Sequence, residues 1–271
     1  MSDIAIKFSL NHMICPSLTA EQLIDAAAGL GVDAVELRND VQENSVTELQ
    51  RATVIGEYAR ARGIKVLSIN ALYPFNVWND EMAAKAEKQA QLANAAGAIG
   101  LVMCPFNENG PVASVDDIKT ALTGLQPILE KHGLQGFVEA LGFPFSSMRT
   151  KRVAVDAIEG LKAQGRFGLV HDTFHHKGAA EQEMFPALTG LVHISGVEDP
   201  AISFNDMLDA HRILVGPKDR LDNIGQIKQL LATGYTGYFS FEPFSAEVWD
   251  LPDPIAAVKD SMDYIRARLA E

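Results

Sequence analysis

The segment LEKHGLQGFVEAL, residues 129–141, reads as the end of a helix, a glycine and a short apolar strand that closes on a carboxylate. His132 suits the negative end of a helix dipole, and Gly133 suits the left-handed residue that terminates a helix. The apolar run after it suits a parallel strand covered on both faces. The same phrase recurs as AAGLGVDAVELR (27–38), ARARGIKVLSIN (59–70), ANAAGAIGLVMCP (93–105), LKAQGRFGLVHD (161–172), PALTGLVHIS (186–195) and LLATGYTGYFSFE (230–242). An opening strand over Ile4–Leu10 brings the count to eight strands.

Between the strands lie helical stretches. The first begins in Ser17-Leu18-Thr19-Ala20-Glu21, where Ser or Thr followed by Glu marks a helix start. The rest are expected near 47–62, 80–97, 115–132, 151–164, 180–188, 222–233 and 254–269. Strand and helix alternate without a Pro- or Gly-rich linker, a charge block or a low-complexity run. Such regularity predicts an α/β fold, a single-domain (β/α)8 TIM barrel over residues 1–271, since these barrels use about 250 residues as one unit. A doubly wound sheet would place a Gly-rich phosphate turn after its first strand, and here that turn reads LNHMICPS (10–17).

Composition narrows the function. Apolar residues make up 47% and charged residues 21% of 271, which excludes a disordered chain. Lys plus Arg at 23 against Asp plus Glu at 35 gives a net charge of −12, so nucleic acid and anionic membranes are poor partners. Cys15 and Cys104 make no disulfide framework, MSDIAIKFSLN carries no signal segment, and the most apolar stretch, Leu92 to Phe106, is interrupted by Asn94, glycines and a proline. A cytoplasmic enzyme is the expectation.

Chemistry in a barrel belongs at the carboxyl ends of its strands. Strand five ends in Glu139, strand six in His171-Asp172, strand seven in His193 and strand eight in Glu242. One carboxylate ending a strand is commonly a helix cap or an ion-pair partner. Three carboxylates and an imidazole in one small apolar ring are costly to desolvate unless a cation compensates them, so the set reads as ligands of a divalent ion.

The segments INALYPFN (69–76), VEALGFP (138–144), LVHDTFHHKG (169–178), VHISGVEDP (192–200) and YFSFEPFSAEVW (238–249) resemble, in order, those of the xylose isomerase-like TIM-barrel superfamily, and within it the inosose isomerase branch. The resemblance implies a sugar isomerase or epimerase with Glu139, Asp172, His193 and Glu242 holding one divalent metal (Mn, Zn, Co or Mg). It further implies that Glu139 and Glu242 carry protons, that His175 contacts a substrate oxygen near the carbonyl, and that Asn70 belongs to the substrate pocket. The substrate class implied is a small keto-polyol or keto-sugar, isomerised through an enediolate, with homo-oligomerisation possible in such barrels.

Other residues carry weaker signals. Tyr73, Phe75 and Trp78 in YPFNVW are read as aromatics that wall off a polyol pocket, and Phe75 and Trp78 as substrate-binding residues. His171 is expected to point away from the mouth because strand neighbours alternate faces. His176 reads as a supporting or exposed loop residue, His12 as a structural or pocket residue, and His211 as a loop residue that binds either substrate or nothing. Arg212, Lys218 and Arg220 would suit a phosphate, but Asp209, Asp219 and Asp222 interleave with them, so the segment reads as a solvated loop or a subunit contact. Cys15 and Cys104 lack a catalytic base at a recognisable spacing and read as inert.

The related ketose epimerases and hydroxypyruvate isomerases carry an Arg six residues after the metal-binding His and a Glu six after the first ligand. Here those positions are Asp199 and Phe145, which favours the inosose branch. Against that branch, Phe143 stands where its members have a His, and GPKDRLDN (216–223) replaces their glycine-rich turn. Ketose epimerase, hydroxypyruvate isomerase and inosose dehydratase therefore stay as alternatives, with a non-catalytic sugar-binding barrel more remote.

Overall fold

A computed structural model describes residues 6–271 of the chain. Eight parallel strands close into a barrel in sequence order. They are β1 (Lys7–Asn11), β2 (Ala34–Arg38), β3 (Lys65–Leu72), β4 (Gly100–Met103), β5 (Gln135–Glu139), β6 (Phe167–Asp172), β7 (Thr189–Ile194) and β8 (Tyr238–Phe241). Pairing of Leu10 with Phe241 and of Leu10 with Val35 joins β1 to both neighbours and seals the ring. Of the expected opening strand, Ile4 and Ala5 lie outside the described residues.

Helices α1 (Ala20–Gly29), α2 (Leu49–Ala61), α3 (Asp80–Ala95), α4 (Val115–His132), α5 (Lys151–Leu161), α6 (Thr173–Gly178), α7 (Asn223–Ala232), α8 (Ala246–Trp249) and α9 (Pro254–Ala270) follow the strands. Thr19 and Gln22 form a capping box at the start of α1, as the Ser17–Glu21 segment foretold. After α4, Gly133 adopts φ 68°, the left-handed stop read from its sequence. After α5 the same role falls to Lys162, with φ 55°, and not to Gly165.

One helix departs from expectation. The segment 180–188 is not helical, because Ala180 and Phe185 take positive φ and Pro186 follows. The sixth helix instead starts directly after β6, where Asp172 Oδ1 accepts the backbone N–H groups of Phe174 (2.7 Å) and His175 (3.1 Å).

Two apolar layers hold the molecule together. The larger one lies between barrel and helices and includes Leu10, Val35, Ile69, Val138, Leu169, Val192 and Phe241. A smaller plug fills the barrel interior with Ala34, Leu67, Val102, Phe137, Val170 and Leu191. Because side chains alternate along a strand, the residue two steps beyond an inward one faces inward again, one layer nearer the mouth. Two steps beyond Phe137, Val170 and Leu191 stand Glu139, Asp172 and His193. The plug therefore forms the floor of the polar site.

Candidate metal centre

Glu139, Asp172, His193 and Glu242 are all buried and converge at the mouth, with one ligand atom from each lying within 4.8 Å of the others. His193 is the hub. Its Nδ1 is 3.2 Å from Glu139 Oε1, 3.1 Å from Glu242 Oε2 and 3.9 Å from Asp172 Oδ2. Three carboxylate oxygens and one imidazole nitrogen around a single point are the donor set that a hard or borderline divalent cation takes. The residues fit such an ion.

The remaining atoms of these side chains are anchored, which orients the donors. Asp172 uses Oδ1 to cap α6 and turns Oδ2 to the centre. The Cys104 thiol donates to Glu139 Oε2 at 3.3 Å. Glu242 Oε1 accepts from Arg38 Nη1 (2.8 Å) and Asn11 Nδ2 (3.1 Å). His193 turns Nε2 to Glu36 Oε1 at 3.1 Å, an arrangement in which a carboxylate behind the imidazole fixes the ring and its tautomer. Glu36 in turn accepts from Ser68 Oγ (2.6 Å) and Asn70 Nδ2 (3.1 Å).

Two buried arginines balance the negative charge. Arg212 Nη2 donates to Asp172 Oδ2 (2.6 Å) and Glu242 Oε2 (2.8 Å), while its guanidinium lies 4.6 Å from the centre of the Phe244 ring. Arg38 clasps Asp40 with Nε (2.7 Å) and Nη2 (2.8 Å). Burial pushes the Glu242 carboxyl up, but His193, Arg212 and Arg38 together outweigh it and hold the group well below the usual carboxylate range. Burial opposes the charge on His193 too, and Glu242, Glu36 and Glu139 override it and raise the imidazole. The Cys104 thiol is raised by burial and by Glu139, which agrees with an inert cysteine.

A cavity of about 300 Å³ opens over this centre, lined by Asn70, Glu139, Phe143, His175, Arg212 and Glu242 among others. His175 is buried there with Nδ1 lacking a partner among the described residues, and Asn70 lines the cavity while donating to Glu36. Phe75 and Trp78 do not line it, which corrects their reading as substrate-binding residues. Phe75 is buried in the outer apolar layer, and the Trp78 ring packs on α4 at Gly124. Of the three aromatics in that loop only Tyr73 reaches the mouth.

Sequence reasoning also missed Arg212 and Glu36. Arg212 is not in a solvated loop, since the segment after β7 folds back to pair Gly196 with Ile213 and carries the arginine inward. Glu36, a carboxylate inside the apolar strand AVELR, sits two residues after the inward Ala34, and that parity was a usable signal. His171 does point away from the mouth, with Nε2 donating to Gln226 Oε1 at 2.8 Å. His12 Nε2 meets the Leu18 carbonyl at 2.8 Å and His211 Nδ1 accepts from the Leu208 N–H, so both act structurally.

A family model described as "xylose isomerase-like TIM barrel" matches residues 24–268. The chain belongs to that family. It is 25% identical over 233 residues to an inosose isomerase of Bacillus velezensis, covering 82% of each chain. Among solved structures it resembles a xylose isomerase domain-containing protein of Salmonella typhimurium, with TM-score 0.88, 31% identity and 98% and 97% of the two chains covered. It also superposes on the IolI protein with a binding zinc atom, with TM-score 0.83, 19% identity and coverage of 97% and 99%. The family member therefore carries, at the mouth of its barrel, a buried acidic and histidine cluster that suits a divalent metal.

Proposed function

We propose that this protein is a metal-dependent isomerase of a keto-polyol, with 2-keto-myo-inositol and 1-keto-D-chiro-inositol as the pair interconverted. The observation that carries the reading is the convergence of Glu139, Asp172, His193 and Glu242 beneath a polar cavity. The resemblance to an inosose isomerase supports the choice of substrate. A divalent ion such as Mn, Zn, Co or Mg at these residues would polarise the carbonyl and adjacent hydroxyl of the substrate and ease loss of the proton between them.

Glu139 on β5 and Glu242 after β8 approach that position from different strands. Among the described residues Glu139 Oε2 is met only by a thiol, whereas both oxygens of Glu242 take hydrogen bonds from arginine. In this reading the two glutamates share the work of taking the proton up and returning it. The C–H proton of the hydroxyl-bearing carbon passes to a glutamate, and its electron pair makes the enediolate. A proton is then returned to the former carbonyl carbon, and the hydroxyl proton moves to the former carbonyl oxygen. His175 and Arg212 line the same cavity, and in this reading they hydrogen-bond the substrate oxygens as charge shifts between them.

The test is proton NMR of the metal-loaded protein with 2-keto-myo-inositol in D₂O. Isomer formation with deuterium incorporation is expected, reduced by about 10²–10⁴-fold in Glu139→Gln and Glu242→Gln. Water loss would turn the reading to a dehydratase. Stereochemical inversion of ketohexoses without inosose turnover would turn it to an epimerase, and turnover of hydroxypyruvate to its isomerase. A sugar-binding barrel would show ligand binding unaffected by Glu242→Gln and no exchange.

A further inference from the structure

The mouth cavity is walled by more negative charge than its own cations balance. Five carboxylates line it, those of Asp40, Glu108, Glu139, Asp209 and Glu242, against the two guanidiniums of Arg38 and Arg212. A divalent ion at the centre would cancel two of the three charges in excess, and Asp172, beside that centre, adds another. Among the described residues no lysine lines this space. Lys85 and Lys88 line a separate cavity of about 490 Å³ that adjoins the mouth across Asp40, Ala71 and Tyr73, and the Lys85 ammonium is tied to the Tyr73 carbonyl at 2.5 Å.

Both arginines direct their nitrogens to protein acceptors. Asp40 faces the Nε and Nη2 edge of Arg38 at 2.7 and 2.8 Å, the edge on which a carboxylate or phosphate is gripped by two parallel hydrogen bonds. The third nitrogen, Nη1, turns inward to Glu242 at 2.8 Å. Asp209 meets Nη1 of Arg212 at 3.3 Å, while Ser195 holds Nε and both Asp172 and Glu242 hold Nη2. Each arginine thus joins an inner carboxylate to one on the rim, where Asp40 and Asp209 are half exposed although the arginines themselves are buried. The N–H groups left over suit the hydroxyl or carbonyl oxygen of a polyol. No surplus positive charge is left for an anion, and bringing an anion out of water into such a site without one is costly. We infer that Asp40 and Asp209 set the specificity of the mouth: by masking Arg38 and Arg212 they make it refuse ketoses that bear a carboxylate or phosphate, so that the substrate is an uncharged keto-polyol. The inference rests on the keto-polyol reading of the metal centre and narrows it, placing sugar phosphates and hydroxypyruvate outside the substrate range.

The experiment is titration calorimetry of the full-length, metal-loaded protein with myo-inositol and with its monophosphates, the same ring without and with an anionic group. The unmodified protein is expected to bind every monophosphate about tenfold or more weakly than myo-inositol, and the gap should narrow as salt screens the like charges. In Asp40→Asn, Asp209→Asn and the double variant, the amide oxygen still accepts from arginine but the charge is gone. The ratio of phosphate to inositol affinity should then rise, by about tenfold or more in the double variant. A monophosphate bound as tightly as myo-inositol by the unmodified protein, a ratio indifferent to salt, a ratio unchanged in the double variant, or no binding of either probe by any of the proteins overturns the proposal. Failure of deuterium exchange on every ketone, with the ratio behaving as expected, would strike the isomerase reading and leave the charge selection standing. Isomer formation with an unchanged ratio would do the reverse.

Discussion

Arg212 is the residue on which the electrostatics of the mouth turn. Its guanidinium bridges Asp172 and Glu242, and Ser195 Oγ accepts from its Nε at 3.0 Å. Removing one partner from a buried ionic network leaves the others uncompensated, at a cost of about 3–5 kcal/mol. Arg212→Met should therefore destabilise the chelator-treated protein by about that amount. A cation at the same two carboxylates would replace part of the lost charge, so the loss should shrink with saturating Mn. Urea melts with and without chelator measure both, and equal losses in the two conditions would show that arginine and metal do not compensate the same oxygens. The sequence around this residue, HRILVGPKDR, alternates charges and gives no local sign that one arginine is buried. Burial of Arg212 follows from long-range pairing, including the Phe244 and Ser245 N–H groups donating to its carbonyl at 2.9 Å.

At the scale of the element, β6 and α6 act as one piece. Asp172 is at once the last residue of the strand, a cap of the helix and a member of the polar cluster, so helix start and ligand placement are coupled. Gly142, in the loop after β5, lies so close to the His175 carbonyl that any Cβ there would overlap it. Gly142→Ala is expected to push α6 and His175 out of place, costing about 1–3 kcal/mol of stability. A displacement near 1 Å is worth about 10²-fold in rate, so kcat/KM on the keto-polyol should fall by that order. Circular dichroism melts and the NMR assay read the two effects, and unchanged kcat/KM in a folded variant would show that His175 needs no such placement. Helices with a repeated helix–glycine–strand phrase were legible because caps and periodicity are local. The sixth was misplaced because its start depends on a side chain of the preceding strand, and its expected range holds residues with positive φ that composition does not announce.

For the whole molecule, several histidines are buried away from the candidate metal centre and tie stability to pH. His12 is fully buried, and burial above all, opposed by the Leu18 carbonyl and aided by Arg38, holds its pKa below the usual 6.5. The folded protein then keeps His12 neutral while the unfolded chain takes up a proton below 6.5. Its contribution to stability is complete above that value and is lost as pH falls, by at most about 1.4 kcal/mol per pH unit. Urea midpoints between about pH 7 and pH 5.5 should decline less steeply in His12→Gln, whose amide can still donate to Leu18. Parallel slopes would show that His12 does not titrate differently on unfolding. Among the described residues no helix is long and apolar enough to cross a membrane. Net charge of −12 is spread over the whole sequence, yet two arginines are held inside the mouth, so overall charge says little about the site.

The sequence by itself determined the alternation of eight strands and their helices, the closed barrel, and Glu139, Asp172, His193 and Glu242 as one cluster. Each of these follows from short-range patterns: helix stops, apolar runs and the residue at a strand's end. Only the tertiary structure decided that Glu36 backs His193, that Arg38 and Arg212 compensate the carboxylates, that Phe75 and Trp78 pack away from the mouth, and that a second cavity adjoins it. Those features join residues far apart in the chain, such as Arg38 with Glu242 and Glu36 with His193. Their energy comes from burial and from partners supplied by barrel closure, which no local stretch of sequence records.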